Sequence, residues 1–158
     1  MTDIVIKPET GHIYITPVGF WVYAEDYLAA SVNWKSPREY SPVPYFAVCR
    51  SIELALKAFL LSKGVRMPEI RNPKTISHNL MFALAKAEQL SLSDLVLTTD
   101  AEKRELSKGN EHYKQDKKRF EYFDIENLRR VNLPDLSTLQ DYAARLLKDT
   151  RDFILSSA

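Results

Sequence analysis

Residues 45–64, Tyr-Phe-Ala-Val-Cys-Arg-Ser-Ile-Glu-Leu-Ala-Leu-Lys-Ala-Phe-Leu-Leu-Ser-Lys-Gly, decide the fold. Val48, Ile52, Ala55 and Phe59 recur at steps of four and three, so they share one stripe of a helix, and Cys49, Leu56 and Leu60 fill the neighbouring stripe. A helix that is apolar on nearly every side belongs in the middle of a bundle. Pro37, Pro42 and Pro44 bound it upstream, because the residue before a proline is pushed out of the helical region. Gly64 bounds it downstream as a left-handed cap. The predicted span is 44–63. Its charges stand out against this background: Arg50, Glu53 and Lys57 are spaced by three and four, with Glu53 N-terminal to Lys57 in the favourable order. They form either a polar pocket within the bundle or an ion pair that holds helices in register or lies at the solvent edge.

Working outward, Thr16-Pro17 reads as an N-cap followed by a proline whose missing N–H is not needed. The helix it opens, 17–34, places Phe20, Ala24, Tyr27, Ser31 and Trp34 on one face. A third helix over 77–90, capped by Ser77 or Thr75, carries Leu80, Met81, Leu84, Ala87 and Leu90. Thr99 and Glu102 make a capping box for a fourth, 99–115, whose apolar stripe is thin: Leu106 and Tyr113 with Gly109 between them. The last, 134–157, starts near Pro134 with Ser137 and Gln140 as a possible box, and buries Leu136, Leu139, Ala143, Leu146, Thr150 and Phe153. Ile4-Val5-Ile6 and His12-Ile13-Tyr14-Ile15 flank Pro8-Glu9-Thr10-Gly11, the pattern of a small hairpin or extended arm. The expectation is an all-α single domain over 1–158: an antiparallel up-and-down bundle of about five helices behind a short N-terminal arm.

The composition fits one self-sufficient domain. Over 158 residues, 45% hydrophobic and 27% charged side chains exclude a disordered or disulfide-dense chain. A net charge of +1 excludes a global field that would draw the chain to nucleic acid or membrane, leaving only local patches. Cys49 is the single cysteine, so neither an intrachain disulfide nor a multi-cysteine zinc site can form, and a reducing, cytoplasmic setting is expected. It reads as a core residue and not as a nucleophile. The first ten residues lack a signal-peptide pattern, and Arg50, Glu53 and Lys57 interrupt the most apolar stretch, so no membrane association is expected. With four glycines there is no Gly-rich phosphate loop, and no cofactor or metal is expected.

The strongest local charge lies between Lys103 and Arg119, where seven Lys or Arg stand against three acidic residues. Tyr113 falls inside it and Phe120 just beyond. Basic groups beside aromatic ones suit phosphate neutralisation with base stacking, which makes His112, Tyr113, Lys117, Lys118 and Arg119 candidate contacts for nucleotide or RNA, together with Arg50, Glu53 and Lys57. A solvated helix face followed by a turn is the other reading.

The ordered set Glu53-Leu54-Ala55-Leu56-Lys57 through Gly64, then His78-Asn79-Leu80, then His112-Tyr113-Lys114 and Lys118-Arg119-Phe120-Glu121-Tyr122-Phe123, resembles the HEPN family. In that family an ELALK-like helix leads through a loop to an H-[DN]-L helix, and a later tyrosine precedes a basic-aromatic turn whose proline is not present here. The match covers 42–123, about half the chain. The resemblance implies an antiparallel bundle of four or five helices, often a homodimer. It also implies a nucleotide-binding or RNA-binding module, a partner of a separate nucleotidyltransferase, or a metal-independent endoribonuclease of the toxin type, the last with an antitoxin-like protein as its partner. The ribonuclease branch pairs an Arg with a His after four to six intervening residues: the His is general base toward the ribose 2′-hydroxyl and the Arg stabilises the charged phosphorane. Arg71 and His78 have that spacing. Pro73 pushes Asn72 toward extended geometry, so Arg71 is expected in a loop and not on the helix of His78. The expected function is a non-catalytic module binding nucleotide, RNA or a protein partner; the alternative is a ribonuclease that uses Arg71 and His78.

Overall fold

The structure, a computed structural model, describes residues 16–114, 120 and 133–157. The expected N-terminal arm, with His12, lies outside the described residues, as do Lys117, Lys118 and Arg119. Among the described residues every regular element is helical. Helix α1 spans Pro17–Asn33, α2 Val43–Ser62, α3 Met67–Arg71, α4 Leu80–Gln89, α5 Asp100–Tyr113 and α6 Leu136–Ser156, with a single 3-10 turn at Leu92–Asp94 before α5.

The start signals act locally and most sit where the sequence puts them. The Thr16 hydroxyl accepts the Gly19 N–H, and Thr99 and Glu102 exchange both bonds of a capping box. Gly64, at φ +84°, ends α2 with its N–H on the Leu61 carbonyl. Two starts differ. The cap of α4 is Asn79, whose side chain accepts from Met81 and Phe82, and not Ser77 or Thr75. Ser77 is turned into the left-handed region at φ 41°, and its N–H is taken by the Ile70 carbonyl at 2.9 Å, so the helix waits two more residues. The cap of α6 is Asp135, whose carboxylate accepts from Thr138, and not Ser137. Both substitutes are short acceptors that reach an N–H three residues on.

Polar bonds across the helix faces fix the directions. Ser31 Oγ donates to the Pro44 carbonyl and Ser51 Oγ to that of Ala24, so late α1 meets early α2 and the two run antiparallel. Trp21 Nε1 on the Leu147 carbonyl and Gln140 on Ser31 make α1 and α6 antiparallel in the same way. Asn110 beside Leu80 and Lys103 beside Glu88 do so for α4 and α5, and Arg145 on Glu102 with Glu105 on the Asp135 N–H do so for α5 and α6. Helix α2 packs on α1, α4, α5 and α6. Fourteen of its twenty residues are buried, as its all-round apolar pattern requires.

Two packing details depart from the pattern. On α1 the buried tryptophan is Trp21 and not Trp34, which is exposed; the indole N–H of Trp21 finds a carbonyl on α6, which makes its burial affordable. Helix α5 has a thin apolar stripe yet packs closely. A Cβ on Gly109 would stand 3.3 Å from Cys49 Sγ and 3.5 Å from Leu139 Cδ1, so the missing side chain is what lets α5 approach α2 and α6.

Candidate functional site

Glu53 stands in the middle of α2 with its side chain 1% exposed. A carboxylate so deeply buried is costly unless paired and hydrogen-bonded. Four side chains answer that demand. Arg50, one turn earlier, places its guanidinium 3.1 Å from Oε2, and Lys57, one turn later, places Nζ 2.5 Å from Oε1. His78 brings Nδ1 to 3.1 Å from Oε1 and 3.3 Å from Oε2, and the Tyr113 hydroxyl donates to Oε2 from the end of α5. The polar residues on α2 are thus a buried node that ties α2 to α5 and to the loop before α4. Of the two readings open from the sequence, the ion pair is observed: Arg50 and Lys57 both pair with Glu53 along α2.

Burial alone would raise the carboxyl of Glu53, but the His78 hydrogen bond and the charges of Lys57 and Arg50 outweigh it and hold the pKa at about 2 against an ordinary 4.5. Glu53 is therefore ionised at neutral pH and can only accept. Burial, followed by the Glu53 charge, pushes the Tyr113 phenol far up, so it stays a donor. Burial would lower Arg50, but the Glu53 carboxylate more than restores it and its charge is permanent. Two cations surround one anion, a local surplus of one positive charge.

The imidazole of His78 is the surface end of this node, with 43% of its side chain exposed. A carboxylate has no proton to give, so Nδ1 must carry the N–H that binds Glu53. In the neutral ring the lone pair then resides on Nε2, which has no partner among the described residues. Arg50 is also partly open, with 30% of its side chain exposed. The arrangement offers an oriented imidazole nitrogen and a guanidinium anchored on the same carboxylate. The guanidinium, and Nε2 when the ring is protonated, can donate to an oxyanion at the surface; Nε2 of the neutral ring can accept from a hydroxyl.

Loop geometry delivers His78 to this point. The Ser77 N–H on Ile70 closes a loop around residues 71–76, and the left-handed turn at Ser77 precedes His78 directly. Asn79 follows, capping α4 while its Oδ1 also accepts from Asn110 Nδ2 at 3.2 Å; Asn110 Oδ1 in turn takes the Leu80 N–H at 2.8 Å. The chain on either side of His78 is thereby held.

Arg71 does not join the node. It is exposed at the end of α3 and its side chain makes no hydrogen bond or ion pair among the described residues, while Asn72 after it is extended, as Pro73 implies. Loop closure brings the two backbones to either end of one hydrogen bond, but the guanidinium bound to the anchor of His78 is that of Arg50. His112 and Tyr113, expected as ligand contacts, are turned inward at 8% and 4% exposure. The His112 ring lies 5.3 Å from that of Phe120, and Tyr113 is engaged by Glu53 and by the Phe46 ring at 5.8 Å. Cys49 is buried, and burial, then Glu53, pushes its thiol up, away from nucleophilic use. No group of three or more His, Cys, Asp or Glu among the described residues is placed to hold a metal ion. No helix among them is long and apolar enough to cross a membrane.

No protein-family model matches the chain, and no curated protein or solved structure matches it. The site therefore stands on its own geometry. Sequence reasoning joined Arg50, Glu53 and Lys57 by their helical spacing, singled out Tyr113 and His78 separately, and did not bring these two to the set. It missed Asn79 as the cap and Asn110 as its partner. Asn110 was findable: it sits on the stripe of Leu106, Gly109 and Tyr113, where a polar residue must be bonded to be buried.

Proposed function

We propose that this chain is a HEPN-like helical module that binds nucleotide or RNA by receiving a phosphate at Arg50 and His78. The observation that carries the reading is the half-exposed imidazole fixed by Nδ1 on the buried, ionised Glu53, beside a guanidinium held by the same carboxylate. The Arg50 guanidinium, and Nε2–H of His78 in its imidazolium form, are charge-assisted donors on a positively biased node and suit a phosphate oxygen. The resemblance carried by Glu53-Leu-Ala-Leu-Lys57 and His78-Asn79-Leu80 supports the same class of ligand. A fluorescent single-stranded RNA titrated at several salt concentrations tests it. Wild type should bind with affinity falling as salt rises, and His78→Ala should weaken binding. Absence of binding by RNA and by free nucleotides refutes the reading and leaves a module that acts through a protein partner, such as a separate nucleotidyltransferase or an antitoxin-like protein.

One observation favours a second reading. An Nδ1-anchored histidine with Nε2 open is arranged as a general base, as a metal-independent endoribonuclease requires. In that reading Arg50 is better placed than Arg71 to face a developing negative charge. Cleavage of RNA in chelator-treated buffer, lost in His78→Ala with binding largely retained, is its signature. Cleavage retained by His78→Ala sinks it.

A further inference from the structure

An open cleft of about 300 Å³ lies between the loop that ends at His78 and α4. Phe82, Lys86 and Gln89 line it from α4, at steps of four and three that place them on one side of the helix; Lys74 and Ile76 line it from the loop and Glu69 from α3. Phe82 is the unusual member. Its ring is 48% exposed and takes no part in the core, although its neighbours Met81 and Ala83 do. Glu69 and Lys86 cancel in an ion pair of 3.0 Å across the cleft. Lys74 is then the surplus cation, with no ion-pair partner among the described residues, and the Gln89 amide has no hydrogen bond among them either.

A flat apolar ring, a free cation and a free amide within one cleft match three parts of a nucleotide: a face to stack, a phosphate to neutralise and an edge to hydrogen-bond. The cleft and the phosphate site proposed above are close along the chain. His78 is two residues beyond Ile76, a backbone reach of at most about 7 Å, and directly precedes Asn79, the cap of α4, whose first turn carries Phe82.

We infer that this cleft is a nucleobase subsite: it takes an unstacked base of a single-stranded RNA against Phe82, with Lys74 on an adjoining phosphate and Gln89 on the base edge. The inference rests on the phosphate reading of Arg50 and His78 and adds the class of ligand, single-stranded and not duplex. Phe82 is exposed enough that its replacement leaves the core intact.

The test is fluorescence anisotropy of 5′-labelled decaadenylate, with unlabelled inorganic polyphosphate as a competitor that has charge and no bases. Phe82→Leu, which keeps bulk and loses the aromatic face, should weaken decaadenylate about tenfold, and Phe82→Tyr should stay within about twofold of wild type. Competition by polyphosphate should be the same for all three. Lys74→Ala should lower the salt slope by about one. Decaadenylate bound as tightly by Phe82→Leu as by wild type overturns the subsite and leaves the phosphate site standing. Equal loss of decaadenylate and polyphosphate by Phe82→Leu overturns it as well, since that is general damage. His78→Ala, by contrast, should weaken both ligands, and a wild type that binds neither overturns both proposals together.

Discussion

Replacing Glu53 by Gln is the sharpest probe of the buried node. The change keeps shape and removes one charge, which leaves Arg50 and the 7% exposed Lys57 without an anion. The carboxyl is held at about 2 against an ordinary 4.5; that gap converts to about 3 kcal/mol of stability at pH 7. Breaking a buried ion pair from one side costs about 3–5 kcal/mol by general experience, which agrees. The sign follows from the direction. A depressed carboxyl contributes fully above the unfolded value, and its contribution is lost as pH falls from about 4.5 toward 2. Urea denaturation of wild type and Glu53→Gln should therefore differ by about 3–5 kcal/mol at pH 7 and by much less near pH 2.5. Comparing the two proteins cancels Glu102, Glu105 and Asp135, whose pKa values are also lowered. A deficit below about 1 kcal/mol at pH 7, or one that does not change with pH, would refute the account of Glu53 as the charge that holds this node.

Asn79→Ala removes an acceptor for two N–H groups of α4 and the bond from Asn110, and should cost about 1–2 kcal/mol in denaturation. Gly109→Leu puts a side chain where a Cβ alone would meet Cys49 at 3.3 Å; thermal melting should show a loss of about 1–3 kcal/mol or more, against little change for an exposed control such as Trp34→Ser. Changing Lys117, Lys118 and Arg119 together to Ala should weaken RNA binding and flatten its salt dependence without moving the melting curve. Helix α1 exposes Val22, Tyr23 and Val32, and Trp34 just after it is exposed too, so light scattering is expected to give twice the 18.2 kDa chain mass; a single-chain mass at micromolar concentration counts against a homodimer.

What could be read from the chain was what the chain encodes locally. Thr16-Pro17, the Thr99–Glu102 box and Gly64 act within one turn, and the helices they bound lie where expected. The central position of α2 followed from its apolar stripes for the same reason. Ser77 misled because its N–H is claimed by Ile70 seven residues back, a tertiary bond that no local pattern announces. Helix α5 looked thin because only apolar residues were counted, whereas Glu102, Asn110 and His112 are buried too, and the bonds of Glu102 to Arg145 and of Asn110 to Asn79 and Leu80 show how two of them are satisfied. The candidate site was visible in part, as Arg50, Glu53 and Lys57 on one helix face, with His78 and Tyr113 as separate letters. That Glu53 gathers Arg50, Lys57, His78 and Tyr113 depends on the return of the chain between α2 and α4, including the five-residue helix α3, which has too few residues to show a period. Arg71 and His78 were linked by their spacing in sequence, while the contact that matters joins His78 to a residue twenty-five positions earlier.

The hydrogen bond from Ser77 to Ile70 separates two things that usually change together. It seals residues 71–76 into a ring whose ends are already fixed, so the ring can be lengthened or rewritten at Pro73 and Lys74 without moving the anchor of His78. One wall of the neighbouring cleft belongs to that ring. A library built only within 72–75 would therefore vary what the cleft accepts while the imidazole stays in place, which makes this loop the natural starting point for redesigning ligand preference on an unchanged scaffold.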